Sequence, residues 1–192
     1  FNEDDDGYDN IETGLTKQCI NYDDKERCWL LLIPGNLTAN DLAPLVIDMH
    51  GIGGNMYLQY NLTRFSNISE RDGVIIAYPQ GYDNEWNMAD DLCCGDDDDI
   101  GFLLEMINTI EQKNIIDESR IYSTGWSNGC GMTQRLAIQA SEIFAAAACS
   151  SMYLLDEPSP NYSPIPFMEV HGLVDELVHY PSISLVGFYY GV

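Results

Sequence analysis

Positive charge is scarce in this chain. Eight Lys and Arg stand against 31 Asp and Glu in 192 residues, a formal net charge of -23. Phosphate backbones and anionic lipid surfaces are repelled by such a molecule. The charge therefore argues against nucleic acid and membrane as partners, and favours a neutral or cationic substrate. Long apolar runs are also missing, and no stretch is long and apolar enough to span a bilayer as a helix. There is no internal repeat, and no linker long enough to split the chain. Histidine is rare: His50, His171 and His179 are the only three. The chain opens at Phe1 with neither an initiator Met nor a signal peptide. Either an export signal has been removed or the N-terminus lies outside this sequence.

Apolar residues make up 45% of the chain, enough for the core of one domain. The six cysteines allow up to three disulfides in 15 possible pairings. Four glycosylation sequons begin at Asn36, Asn61, Asn67 and Asn161, the last followed by Pro164. Cysteines and sequons together predict a secreted, extracellular glycoprotein.

An acidic segment is expected over residues 1–27, ahead of a folded domain over 28–192. Asn2, Asp4, Asp6 and Gly7 imitate the start of a calcium loop. Thr13, however, stands where the bidentate Glu belongs, so a solvated acidic tail is the better reading, and no metal is expected. Short apolar runs at 28–33, 45–49, 74–78, 121–124, 144–149 and 167–170 read as strands buried on both faces of a parallel sheet. Between the third and fourth runs, Ile100, Leu103, Leu104, Ile107 and Ile110 form the buried stripe of a helix. The acids Asp96 to Asp99 lie at its start, where they cap free N–H groups. Alternating strands and helices define an α/β fold with a mostly parallel central sheet.

The sharpest motif is Gly125-Trp126-Ser127-Asn128-Gly129. It follows a buried strand and precedes Met132, Leu136 and Ala140 at helical spacing, the context of a nucleophile elbow. Such a turn strains the serine backbone, and a side chain at either glycine would clash where strand and helix nearly touch. Ser127 is the predicted nucleophile, and the N–H of Asn128 is one predicted oxyanion donor. A second is expected from the glycine-rich loop His50-Gly51-Ile52-Gly53-Gly54 after an earlier strand, with the Ile52 N–H preferred. His50 is expected to pack beneath that loop. The segment His171-Gly172-Leu173-Val174-Asp175 follows the last strand, 48 residues after Ser127, and makes Asp175 the predicted orienting acid. No histidine can be assigned as the base, since His50 and His171 sit in glycine turns and His179 is only four residues past Asp175.

Several stretches carry a family resemblance in order: His50 to Asn55, Tyr78-Pro79-Gln80-Gly81 with Trp86, Cys93-Cys94-Gly95, Asp98 to Leu103, Gly125 to Gly129 with Met132 and Arg135-Leu136-Ala137, and His171 to Asp175. From about Cys28 to Tyr180 the chain resembles the secreted α/β-hydrolases known as polyhydroxybutyrate depolymerases and feruloyl esterases. The resemblance implies an α/β-hydrolase fold and ester hydrolysis through an acyl-serine intermediate, without a cofactor. It assigns Ser127 and Asp175 to the triad and Ile52 and Asn128 to the oxyanion hole. The family's His follows the Asp downstream, so the expectation is a chain lacking the C-terminal strand, the base and the closing helix. Trp86 and Trp126 are the expected substrate-binding residues, and specificity among feruloyl, acetyl-polysaccharide and hydroxyalkanoate esters, possibly polymeric, is expected from the loops around them. Trp126 either lines an acyl pocket or packs in the core. Cys130 is a disulfide candidate without an assigned partner, and a monomer is expected. The competing reading is a catalytically dead hydrolase-fold binding protein.

Overall fold

Backbone alternation puts odd-numbered residues of the second strand on one face of the sheet and even-numbered ones on the other. Trp29, Leu31 and Ile33 enter the larger core cluster, while Leu30 and Leu32 enter a smaller one. The computed structural model describes residues 12–38, 41–89, 94–113 and 115–180. The acidic residues 2–7 and the apolar run 185–190 lie outside them.

Seven described strands form one sheet: β1 (Gly14–Tyr22), β2 (Lys25–Ile33), β3 (Ala43–Met49), β4 (Ile75–Pro79), β5 (Ile116–Trp126), β6 (Ala146–Ser150) and β7 (Phe167–Val170), in the order β1-β2-β4-β3-β5-β6-β7. Pairings from β4 through β3, β5 and β6 to β7 are parallel, and those of β1 with β2 and β2 with β4 are antiparallel. This is the α/β-hydrolase arrangement, a mixed and mostly parallel sheet flanked by helices. The six anticipated strands are present. β1 is an addition: the sheet takes in residues 14–27, ahead of the boundary expected at residue 28. Alternation along β1 is weak to the eye because every second residue is only half-buried.

Helices α3 (Asp99–Glu111) and α4 (Asn128–Gln139) cover the face with the larger cluster. Helix α3 adds Phe102 and Met106 to the expected stripe. The acids at its start divide their work. Asp98 accepts the Gly101 N–H at 2.9 Å as a cap, while Asp97 pairs with Lys25 and Asp99 with Arg27, both on β2. Helices α1 (Met56–Thr63) and α2 (Ser66–Asp72) lie on the opposite face. Among the described residues no helix is long and apolar enough to cross a membrane.

Two described disulfides brace this frame. Cys19–Cys28 joins β1 to β2, and Cys130 finds its partner in Cys149, tying α4 to β6. Cys94 is also disulfide-bonded.

Register decides where the site forms. Met49 of β3 pairs with Gly125 of β5, and Ser150 of β6 pairs with both Trp126 and Val170. The loops after β3, β5, β6 and β7 therefore leave the sheet side by side at its carboxyl edge, where open α/β sheets bind ligands.

Candidate active site

Ser127 has φ 54° and ψ -127°, a conformation that L-residues rarely adopt. Its backbone is held there from both sides. The Ser127 N–H donates to Ser150 O at 2.9 Å, and its carbonyl accepts the N–H groups of Cys130 at 2.8 Å and Gly131 at 3.0 Å. The flanking glycines are required by space. A Cβ on Gly125 would lie 2.5 Å from Gly129 O, and one on Gly129 would lie 2.5 Å from His50 O and meet Met49 O as well. The serine thus stands half-buried between the end of β5 and the start of α4, at the positive end of a helix dipole.

Asn128 contributes its first-turn N–H, which has no carbonyl to reach within the helix. Its side chain is occupied elsewhere. Asn128 Oδ1 accepts the Trp86 N–H at 2.7 Å, and Asn128 Nδ2 donates to Trp86 O at 2.9 Å. Trp86 Nε1 in turn donates to His50 O at 2.9 Å. The expectation that Trp86 touches substrate is corrected here, because its side chain is wholly buried. It ties the loop after β3 to the turn between β5 and α4 from below. Trp126 resolves the other way, 45% exposed beside Ser127.

The loop after β3 packs directly on the elbow. A Cβ on Gly51 would meet the Trp126 ring at 3.1 Å and Ser127 Cβ at 3.4 Å. Gly53 N–H donates to Asn84 O at 2.7 Å and Gly54 N–H to Gly51 O at 2.9 Å, while Ile52 stands 58% exposed. His50 lies beneath, as anticipated. Its Nε2 accepts the Gly81 N–H at 3.0 Å, which leaves the proton on Nδ1 to reach Gly51 O at 2.8 Å. Burial pushes His50 below its ordinary value, against the pull of that carbonyl. A neutral ring with both nitrogens engaged is a clamp, and it is not free to act as a base.

Sequence reading missed the supports of this loop. Asn55 caps α1, its Oδ1 accepting the N–H groups of Tyr57 and Leu58 at 3.0 and 2.9 Å. Gln80 Oε1 takes the Met56 N–H at 3.1 Å. Asp48 is 1% exposed, and its carboxylate accepts hydrogen bonds from Gln59 at 2.6 Å and Thr63 at 2.7 Å. Burial raises Asp48 from 3.8 to about 6, despite those two donors. The signal for Asp48 was present, an acid inside an otherwise apolar strand.

Asp175 sits in the turn after β7. Its Oδ1 accepts the N–H groups of Val178 at 2.9 Å and Leu177 at 3.0 Å, and these two bonds lower its pKa from the ordinary value. No described hydrogen bond joins it to Ser127. β7 lies two strands from β5 in the sheet, a lateral offset of roughly 10 Å. None of the described histidines hydrogen-bonds to Ser127.

The fold is that of an α/β-hydrolase, with a strained serine at the turn between β5 and α4. The family model described as esterase PHB depolymerase matches residues 28–183, and the chain belongs to that family. Its relatives include feruloyl esterase B of Piromyces equi, 30% identical over 79% of this chain and 30% of that protein. A bifunctional acetylxylan esterase/xylanase of Neocallimastix patriciarum is 26% identical over 79% of this chain and 22% of the relative. A probable feruloyl esterase C of Aspergillus flavus is 25% identical over 80% and 56%. Among solved structures, a thermostable esterase superposes with a TM-score of 0.73 at 20% identity, over 86% of this chain and 48% of that one. The acetyl xylan esterase of Aspergillus awamori gives 0.58 at 22% identity, over 70% and 51%. The chain spans about half the length of these structures, and less than a third of the Piromyces and Neocallimastix relatives.

Proposed function

We propose that the protein is a serine carboxylesterase in which Ser127 Oγ attacks an ester carbonyl. The carbonyl carbon forms a bond to Oγ, the carbonyl π electrons move onto oxygen, and the N–H groups of Ile52 and Asn128 receive that oxyanion. Collapse expels the alcohol with the serine proton and leaves an acyl-serine, which water hydrolyses. Asp175 would orient the imidazole that shuttles both protons. The observation that carries this reading is the strained Ser127 backbone, pinned by three hydrogen bonds at the junction of β5 and α4. Strain of this kind is worth roughly 1–3 kcal/mol and persists where the surroundings over-determine it.

The relatives' names support an acyl ester of a plant cell-wall polysaccharide, feruloyl or acetyl, over a hydroxyalkanoate polymer. Exposed Trp126 beside Ser127 offers an apolar face to an aromatic or sugar group. Secretion is part of the proposal, supported by the absence of free cysteine among the described residues and by exposed Asn36, Asn61, Asn67 and Asn161. A monomer without nucleic-acid partners fits the charge.

The test is covalent labelling of the full-length protein with a fluorophosphonate, with Ser127→Ala as control. Label on Ser127, absent from the variant, supports the esterase. Failure to label intact protein sinks it and favours a hydrolase-fold binding protein. That second reading has one observation of its own, that the His50 and His171 rings are both committed to other partners.

A further inference from the structure

The loop that carries Asp175 is held by an imidazole with an acceptor at each nitrogen. His171 Nδ1 lies 3.0 Å from a Glu169 carboxylate oxygen, and Nε2 lies 2.7 Å from the Val178 carbonyl oxygen. A neutral imidazole owns one N–H, so it would meet one of these oxygens with a lone pair. Only the imidazolium donates to both. The His171 side chain is 3% exposed. The Tyr153 ring stacks on it at 5.3 Å, from the segment after β6, and Tyr180 packs at 5.5 Å. The charged groups facing it are Glu169 of β7 and Asp175 of its own loop, whose Oδ2 is 3.9 Å from Nε2. Val178 is the pivot, since its carbonyl accepts from His171 while its N–H donates to Asp175.

We propose that His171 is a positioning residue for Asp175: as an imidazolium bridging Glu169 and Val178, it sets the turn from which the acid reaches the triad. Glu169 and His171 are two residues apart, so the end of β7 directs both to one side of the sheet. The bridge ties the turn to the strand. Burial opposes the charge, but the Val178 carbonyl, Glu169 and Asp175 outweigh it and hold His171 above its ordinary value. Deprotonation would release one end of the bridge and loosen the backbone donors that hold Asp175. The proposal rests on the esterase reading for its catalytic consequence, but not for the state of the ring.

Two measurements separate those dependencies. In the 15N-labelled chain, NMR should show both His171 nitrogens protonated at neutral pH, with a midpoint above an ordinary histidine. Glu169→Gln should lower that midpoint. A single neutral tautomer at neutral pH, or a midpoint indifferent to Glu169→Gln, overturns the proposal whether or not the protein is an esterase. In full-length protein, His171→Phe should cost roughly ten- to a hundredfold in kcat with KM little changed, as expected for a misplaced orienting group. Glu169→Gln should move the alkaline fall of the pH–rate profile to lower pH. A variant that folds and turns over normally with an unmoved profile denies His171 its role. If the protein labels at Ser127 and His171 fails these tests, only the positioning role is lost. If it does not label, the NMR arm still decides the state of the bridge.

Discussion

At the scale of the residue, Ser127 and Asp48 are held in states that folding alone would not choose. Ser127→Gly removes the penalty of a positive φ and should stabilise the protein by roughly 1 kcal/mol, while abolishing any labelling. Urea unfolding of the variant beside the wild type checks this, and a loss of stability would mean that the elbow is unstrained. For Asp48 the folded state favours the proton, since its pKa moves from 3.8 to about 6. Its burial therefore costs nothing below the lower value, begins to cost as pH rises past 3.8, and costs most above about 6. The full difference is roughly 3 kcal/mol. Asp48→Asn keeps an acceptor for Gln59 and cannot ionise. Its stability relative to wild type should rise between pH 4 and pH 8. Equal differences at both ends of that range would argue that the carboxylate is already neutralised by its neighbours.

At the scale of the element, α4 is the piece on which the site depends. It is buried along almost its whole length, and Cys130–Cys149 staples it to β6 across 19 residues. A loop of that size limits the unfolded chain by roughly 3 kcal/mol. Replacing Cys130 and Cys149 together with Ala should lower stability by about that amount, read as a lower urea midpoint at unchanged slope. Gly129→Ala should be comparably harmful without any change in cross-linking, because its methyl would press on the carbonyls of Met49 and His50; overpacking of this kind costs about 1–3 kcal/mol. The strand and helix either side of Ser127 were legible in the sequence, as were the glycines between them. Helices α1 and α2 were not. Tyr57, Leu58 and Leu62 of α1 are each more than half exposed, so α1 lacks the apolar stripe that marks a helix by period.

At the scale of the whole molecule, 31 acids against 8 bases leave the surface repelling itself. Screening reaches about 10 Å at 0.1 M salt. Raising salt from low ionic strength should therefore raise Tm, and a gain of about 1 kcal/mol corresponds to roughly 2–4 °C. A flat or falling Tm would show that surface ion pairs outweigh the repulsion. The same acids serve the fold where a base is available. Arg27 and Asp99, both buried and 2.5 Å apart, bring β2 to the start of α3, and Asp99 also accepts the Asn87 N–H at 2.8 Å. Arg135 extends the chain of contacts, donating to Asn87 O at 2.9 Å and pairing with Asp156 at 2.7 Å. Two of the eight cations, Arg27 and Arg135, are thus buried within the architecture.

What the sequence determined by itself was local. Strand periodicity, the glycines flanking Ser127, and the glycine-rich loop after β3 all depend on neighbours within a few residues, so they could be read along the chain. Family membership followed from the same short motifs. Only the tertiary structure decided which side of the site each group occupies. It put Trp86 under the loop and Trp126 at the surface, gave Cys130 its partner, drew β1 into the sheet, and showed His50 and His171 each closed between two acceptors or donors. Those outcomes depend on the pairing of Met49 with Gly125 and of Ser150 with Val170. Register between distant strands is set by the packing of the whole sheet, and no local window contains it.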